Sequence, residues 1–166
     1  MLSPDYIRIL FDYNDWANTI VLNTAAQLAP EQLHTSPLEG HGSLWSTLVH
    51  TFGAAIIWRT RWEGASPTQM LSPAELPSFA SLRERWAIEE ATWQAKLATL
   101  DAASLAAPLA YRNTQGTPLS EPLWQILVHL VNHGTQHRSE IAAMLTILER
   151  SPGDMDLIKF FRQRNQ

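Results

Sequence analysis

The sequence predicts an all-α fold, a four-helix bundle, on three observations. Apolar residues recur at three- and four-residue spacing in four long stretches. A serine stands at or just before the start of each, in the place of a helix N-cap. One connection, residues 65–78, is long enough for the third helix to run beside the second without being its hairpin partner. The 166 residues suit a single domain, 1–166, large enough to bury a core without disulfide staples.

Ser3-Pro4-Asp5 opens the first helix with a cap, a proline at the first helical position and an acid at the positive end of the dipole. Its apolar row runs from Tyr6 to Val21, and its end is expected near Leu28, before Pro30. Within it, Tyr13 and Trp16 read as core aromatics, and Asn14 and Asn18 as polar contacts open to a nearby site. Residues 29–42 read as a connection, and its His34 and His41 as solvated loop histidines. Ser43 caps a second helix over 43–63, apolar almost all round until Arg59 and Arg61, which calls for neighbours on more than one side. His50 lies off its main arc, beside Ala54 and Ile57. It reads equally as an internally hydrogen-bonded side chain or as a ligand.

In the crossover, Ser72-Pro73-Ala74-Glu75 suggests one short turn. Ser81-Leu82-Arg83-Glu84 matches a capping box for the third helix, with Ser78 as the other candidate cap. That helix runs to about Leu100, with Leu82, Trp86, Trp93 and Leu97 inward and Glu89 at an edge. Residues 109–116 suggest a short hairpin-like loop. Ser120 is expected to cap a fourth helix over 121–149, and Met155 to Phe161 a last apolar turn folded back on the bundle. All seven tryptophans fall in predicted helices. Most read as core, with Trp58 and Trp62 as candidates for an exposed oligomer face.

Composition narrows the function classes. Hydrophobic residues make up 45% and charged residues 17%, values of a globular chain. Net charge is −4, and only the tail from Lys159 to Arg164 is locally basic, so a nucleic-acid partner is not expected. The absence of cysteine excludes disulfides, thiolate zinc sites and a cysteine nucleophile. The first residues show no basic-then-apolar leader, and no run approaches the roughly 18 apolar residues of a membrane helix, so a cytoplasmic protein is expected.

The chemistry concentrates in residues 127–138, LVHLVNHGTQHR. On a helix, His129, His133 and His137 form a stripe stepping by about 40° per four residues. His133 and His137 fall within or against the apolar face, and His129 towards its edge. Imidazoles facing a core need partners, and two at i, i+4 can reach one divalent ion. Gly134 stands where a zinc protease of the HExxH type has its glutamate, which argues against that class.

These features together resemble the DinB family (DinB/YfiT-like metalloenzymes) over nearly the whole chain. Tyr13-Asn14-Asp15-Trp16-Ala17-Asn18 looks like the family's first-helix signature, Leu48-Val49-His50 like its second-helix histidine, and His129 to Arg138 like its fourth-helix motif. The resemblance implies an up-down-down-up four-helix bundle, often a homodimer, with His50, His133 and His137 as three histidine ligands of a divalent metal, zinc or nickel. It places His129 outside the ligand set, hydrogen-bonded nearby. Glu140 departs from the family's frequent glutamine. It could accept a hydrogen bond behind a ligand, but reads slightly better as a solvated helix residue.

Three neutral imidazoles leave coordination positions open, the pattern of a catalytic rather than a structural site. Families related by this resemblance include metal-dependent transferases that use low-molecular-weight thiols. With no cysteine in the chain, the nucleophile must come from such a cosubstrate or from metal-bound water. The expected function is therefore a metal-dependent transferase acting on a small-molecule substrate with a low-molecular-weight thiol. The alternatives are a hydrolase using metal-activated water, with Glu140 as the one nearby base, and a non-enzymatic stress-response dimer.

Overall fold

Polar residues cut the core of this protein into two apolar halves. Residues 3–165 are described by the structure, a computed structural model. One half gathers Phe11, Trp93, Leu97 and Leu127; the other gathers Val21, Leu48, Phe52, Trp86, Ile141 and Leu145. Burying each such side chain is worth about 1.5–3 kcal/mol, so the two halves hold the helices in place. Between them along the chain lie Asn14, Asp15 and Asn18, then Glu89 and Glu90, then His133 to Arg138.

Four long helices build this frame: α1 (Pro4–Ala25), α3 (Leu44–Trp62), α4 (Phe79–Ala98) and α6 (Leu123–Ile147). Helix α6 packs against α1 and α3, and α4 packs against the same two. Shorter helices are α2 (Pro30–Leu33), α5 (Ala102–Ala106) and α7 (Leu157–Arg164). Ser3 and Ser43 cap α1 and α3 as the sequence predicts, accepting from the backbone N–H groups of Tyr6 and Ser46. The turn in the crossover is a single 3₁₀ turn over Pro73–Glu75, capped by Ser72.

The fold is mostly helical, as expected, with one small sheet in addition, in which β1 (Pro108–Arg112) and β2 (Pro118–Pro122) pair antiparallel with Tyr111 opposite Leu119. Several expectations need correction. The loop sequence had suggested a hairpin, but the ladder reaches further and takes Ser120 into β2. Ser120 therefore caps nothing; Pro122 precedes α6 without a side-chain cap, and the Leu123 N–H donates to Ala107 O at 2.9 Å. Helix α1 ends at Ala25 rather than Leu28, because the N–H groups of Gln27 and Leu28 reach back only three residues and tighten the turn. Ser78, not Ser81, caps α4, accepting from the Ser81 N–H at 3.1 Å. The short helices α2 and α5 were not expected, and the last turn is an eight-residue helix.

Packing also moves three side chains inward. Glu89, expected at an edge, is buried and paired with Arg59, whose Nε lies 2.6 Å from its Oε1. Trp58 and Trp62 are half-buried rather than free on an outer face: Trp58 meets Tyr111 and His129, and Trp62 meets Trp93. The hairpin reaches Trp58 because the Arg112 N–H donates to Ser66 Oγ at 3.0 Å, tying β1 to the chain just beyond α3. No helix among the described residues is long and apolar enough to cross a membrane.

Candidate metal centre

The period of α6 sets two of the candidate ligands. His133 and His137 are one turn apart on one face, and their Nε2 atoms lie 3.2 Å apart. His50 comes from α3, which packs on that face; its ring centroid is 5.3 Å from that of His133 and 4.7 Å from that of His137. One nitrogen from each of the three lies within 4.8 Å of the other two. This is the one such cluster found among the described residues.

The donor set fits a divalent ion. At metal–nitrogen distances of about 2.0–2.1 Å, two tetrahedral ligands stand roughly 3.3–3.4 Å apart, close to the observed nitrogen pair. Two of the imidazoles are also biased towards the neutral form that a ligand must have. Burial, with the neighbouring charges of His137 and His50, pushes His133 down to about 4. Burial and then His137 lower His50 as well. His50 is exposed while His133 and His137 are half-buried, so the cluster is open on the α3 side.

Glu140 belongs to this arrangement, contrary to its reading as a solvated residue. Its Oε2 lies 2.7 Å from His137 Nδ1, one turn further along α6. Burial works to raise the Glu140 carboxyl, but the hydrogen bond and charge of His137, with smaller help from Gln136 and His41, outweigh it and hold it below its usual value. A carboxylate on Nδ1 fixes the tautomer that leaves Nε2 free to ligate. His133 has no such support: its Nδ1 is buried without a partner. His129 is exposed, its ring against Trp58 and 5.6 Å from that of His133, outside the cluster. His34 packs its ring on Trp45 and, like His41, joins no cluster.

Behind the histidines is a polar network that sequence reasoning only half found. Asn14 and Asn18 were expected near a site, and both accept from the guanidinium of Arg138, with Asn18 Oδ1 at 3.0 Å. Arg138 itself, adjacent to a ligand, was missed. Its Nη2 donates to Thr135 at 2.9 Å, and the guanidinium lies 5.5 Å from the centre of the Tyr13 ring. Gly134 makes this approach possible, since a Cβ there would stand 2.8 Å from both Asn14 Oδ1 and Arg138 Nη1. Burial pushes Asp15 up to about 6, against hydrogen bonds from Gln94 and Asn14 that lower it. Burial, then the charge of Asp15, pushes Glu90 up to about 7. These carboxyls and His133 line one interior cavity of about 30 Å³, room for a water.

On the open side of the cluster, His50 and His133 line a groove of about 250 Å³ that continues to Trp58, Arg61 and Tyr111. Arg61 was also missed. One signal pointed to it: Arg59 has Glu63 four residues on, whereas Arg61 has no acid three or four residues away in either direction.

A mostly helical frame carrying three histidines from two helices, open on one side, defines a class of helical protein with a constellation that could hold a metal ion. The profile of the DinB family matches residues 1–165, and the chain belongs to that family. Protein DinB of Bacillus subtilis (strain 168) is 27% identical over 146 residues, which is 85% of each chain. A crystal structure described as a conserved protein from Enterococcus faecalis superposes with a TM-score of 0.68 at 13% identity, covering 89% of this chain and 98% of that one. That likeness concerns the fold.

Proposed function

We propose that this protein is a divalent-metal-dependent transferase in which His50, His133 and His137 hold the ion and a low-molecular-weight thiol is the nucleophile. The observation that carries the reading is the geometry of the cluster: three imidazole nitrogens within 4.8 Å of one another, open to a groove on the His50 side. A bound ion of this kind supplies a Lewis acid that lowers the pKa of a thiol or water at neutral pH. The chain's own residues do the rest. Glu140 orients His137, burial keeps His133 neutral, and the groove walls give a substrate a place beside His50 and His133. Zinc and nickel both suit imidazole ligands.

The hydrolase reading is weaker because its one candidate base, Glu140, is engaged with His137 Nδ1. The same proposal takes the four long helices as an up-down-down-up bundle forming one domain over 1–166, dimeric and cytoplasmic, where small thiols are abundant.

The test is elemental analysis of untagged protein, wild type beside His50→Ala, followed by a screen for joint consumption of thiol and electrophile. About one divalent ion per chain, lost in His50→Ala, together with metal-dependent thiol consumption, is the expected result. Absence of metal uptake from added Zn²⁺ or Ni²⁺ sinks the reading.

A further inference from the structure

Arg61 is a buried cation with no anion to answer it. The residue is 5% exposed, and its Nε is buried with no hydrogen-bond partner. Its side chain makes no ion pair and no hydrogen bond within the protein among the described residues. Instead the guanidinium lies against two rings that meet edge to face, 4.6 Å from the centre of Trp58 and 4.9 Å from that of Tyr111. Ring faces offset part of the charge but accept no in-plane N–H bond, and guanidinium carries five such donors in a planar fork. Leaving the buried Nε–H unpaired is costly, so an arrangement like this calls for a ligand.

The surroundings say what kind. Arg61 lines the same groove as His50 and His133. Trp58 precedes Arg61 by one turn, so the guanidinium leans towards the N-terminal end of α3, where His50 lies. Eleven residues separate His50 and Arg61, about 16 Å along the axis, and an arginine reaching back spans a good part of it. Among the described residues, no aspartate or glutamate lines the groove. Polar Asn113 and Thr114, from the hairpin turn, complete its mouth. Glu121 sits beside the Tyr111 hydroxyl on the same face of the hairpin and has an unpartnered buried Oε2 of its own.

We propose that Arg61 is the anchor for a carboxylate carried by the small-molecule ligand of this groove, held against Trp58 and Tyr111 about one short ligand's length from the histidines. A planar fork matches a carboxylate by two parallel hydrogen bonds. The anchor sets specificity: anionic thiols or electrophiles enter, and their neutral isosteres lose the paired bonds. The inference rests on the reading of the three-histidine cluster as the reaction centre for its use, but not for its detection.

The test uses full-length protein labelled with ¹⁵N-arginine and loaded with Zn²⁺, with metal content measured on the same sample. The probes are 3-mercaptopropionate, its neutral amide 3-mercaptopropionamide, propionate and inorganic phosphate. The Arg61 Nε–H signal, assigned by its loss in Arg61→Met, should shift saturably with 3-mercaptopropionate. Calorimetry should show the acid binding at least tenfold tighter than the amide. In Arg61→Met the acid should bind no better than the amide, with metal content and Tm unchanged, and Arg61→Lys should retain part of the preference.

Equal binding of acid and amide by the wild type overturns the proposal, as does a preference that survives Arg61→Met. A shift with phosphate and none with propionate overturns the carboxylate assignment in favour of a phosphoryl group. If Glu121→Gln moves the Arg61 signal in the ligand-free protein, the guanidinium already has an internal partner and the proposal fails. Should the protein take up no metal, the reading of the histidines fails by itself. Propionate shifting the Arg61 signal in that metal-free sample still supports the anchor, and no shift overturns it.

Discussion

Arg138 and Arg61 are both buried, 2% and 5% exposed, yet their surroundings are opposite in kind. Arg138 is met on several sides by Asn14, Asn18 and Thr135, and the nearby carboxylate of Asp15 contributes charge. Arg61 has two aromatic rings and no acceptor. A buried arginine with its hydrogen bonds made holds helices together; one with them unmade raises the energy of the empty groove and waits for a ligand. Folding is served by the first and recognition by the second, although both lie within the same bundle of helices.

The comparison can be broken most sharply at Arg138. Arg138→Met strands the Asn14 and Asn18 oxygens in the interior and is expected to cost about 3 kcal/mol, a fall in Tm of roughly 6–12 °C for a chain of this size. A loss below about 1 kcal/mol by denaturant titration would place the network among surface-like contacts. Next in size is Glu140→Ala, which leaves His137 Nδ1 without its acceptor. Metal affinity should fall about 10–100-fold, read by chelator competition. Unchanged affinity would return Glu140 to the solvent.

The acids around Arg138 supply a pH signature that Arg61 lacks. Folding raises Asp15 from 3.8 to about 6 and Glu90 from 4.5 to about 7, so the folded protein holds their protons more tightly. Their contribution to stability is full below the ordinary carboxyl range and is lost as pH rises through about 6 and 7. Glu90→Gln should therefore raise Tm at pH 8 and change it little at pH 4. The same gain at both pH values would remove ionisation of Glu90 as the cause.

Gly134→Ala tests the close approach. The new methyl meets Asn14 and Arg138 at 2.8 Å, and the loss of a charged hydrogen bond outweighs the gain in helix propensity of about 1 kcal/mol. A net loss of about 1 kcal/mol is expected, and a stabilised variant would mean that the network shifts freely. Smallest is Arg61→Met. Its lost ring contacts are offset by relief of a buried charge, so stability should change by less than about 0.5 kcal/mol or rise slightly. A large destabilisation would make Arg61 a structural residue like Arg138 and erase the contrast.

Much of the helical frame was legible in the sequence, because the signals are local. Ser3 and Ser43 cap helices through groups three residues away, and apolar spacing along α1, α3 and α6 follows the period of the helix itself. The hairpin shows where that reasoning stops. Ser120 has the chemistry of a cap, but pairing with Ala110 in the neighbouring strand takes the backbone before the helix can start. Glu89 likewise reads as an edge residue until Arg59, thirty positions earlier, is brought to it.

For the site, the sequence alone determined that His133 and His137 share a face of one helix, and the resemblance in its motifs named His50 as their companion. Only the tertiary structure decided that α3 brings His50 to that face, that Glu140 turns towards His137 rather than water, and that Arg138 is satisfied while Arg61 is not. The physical reason is range. Helix period and capping are settled within a turn, whereas a buried charge acquires or lacks a partner through the packing of segments distant in the chain.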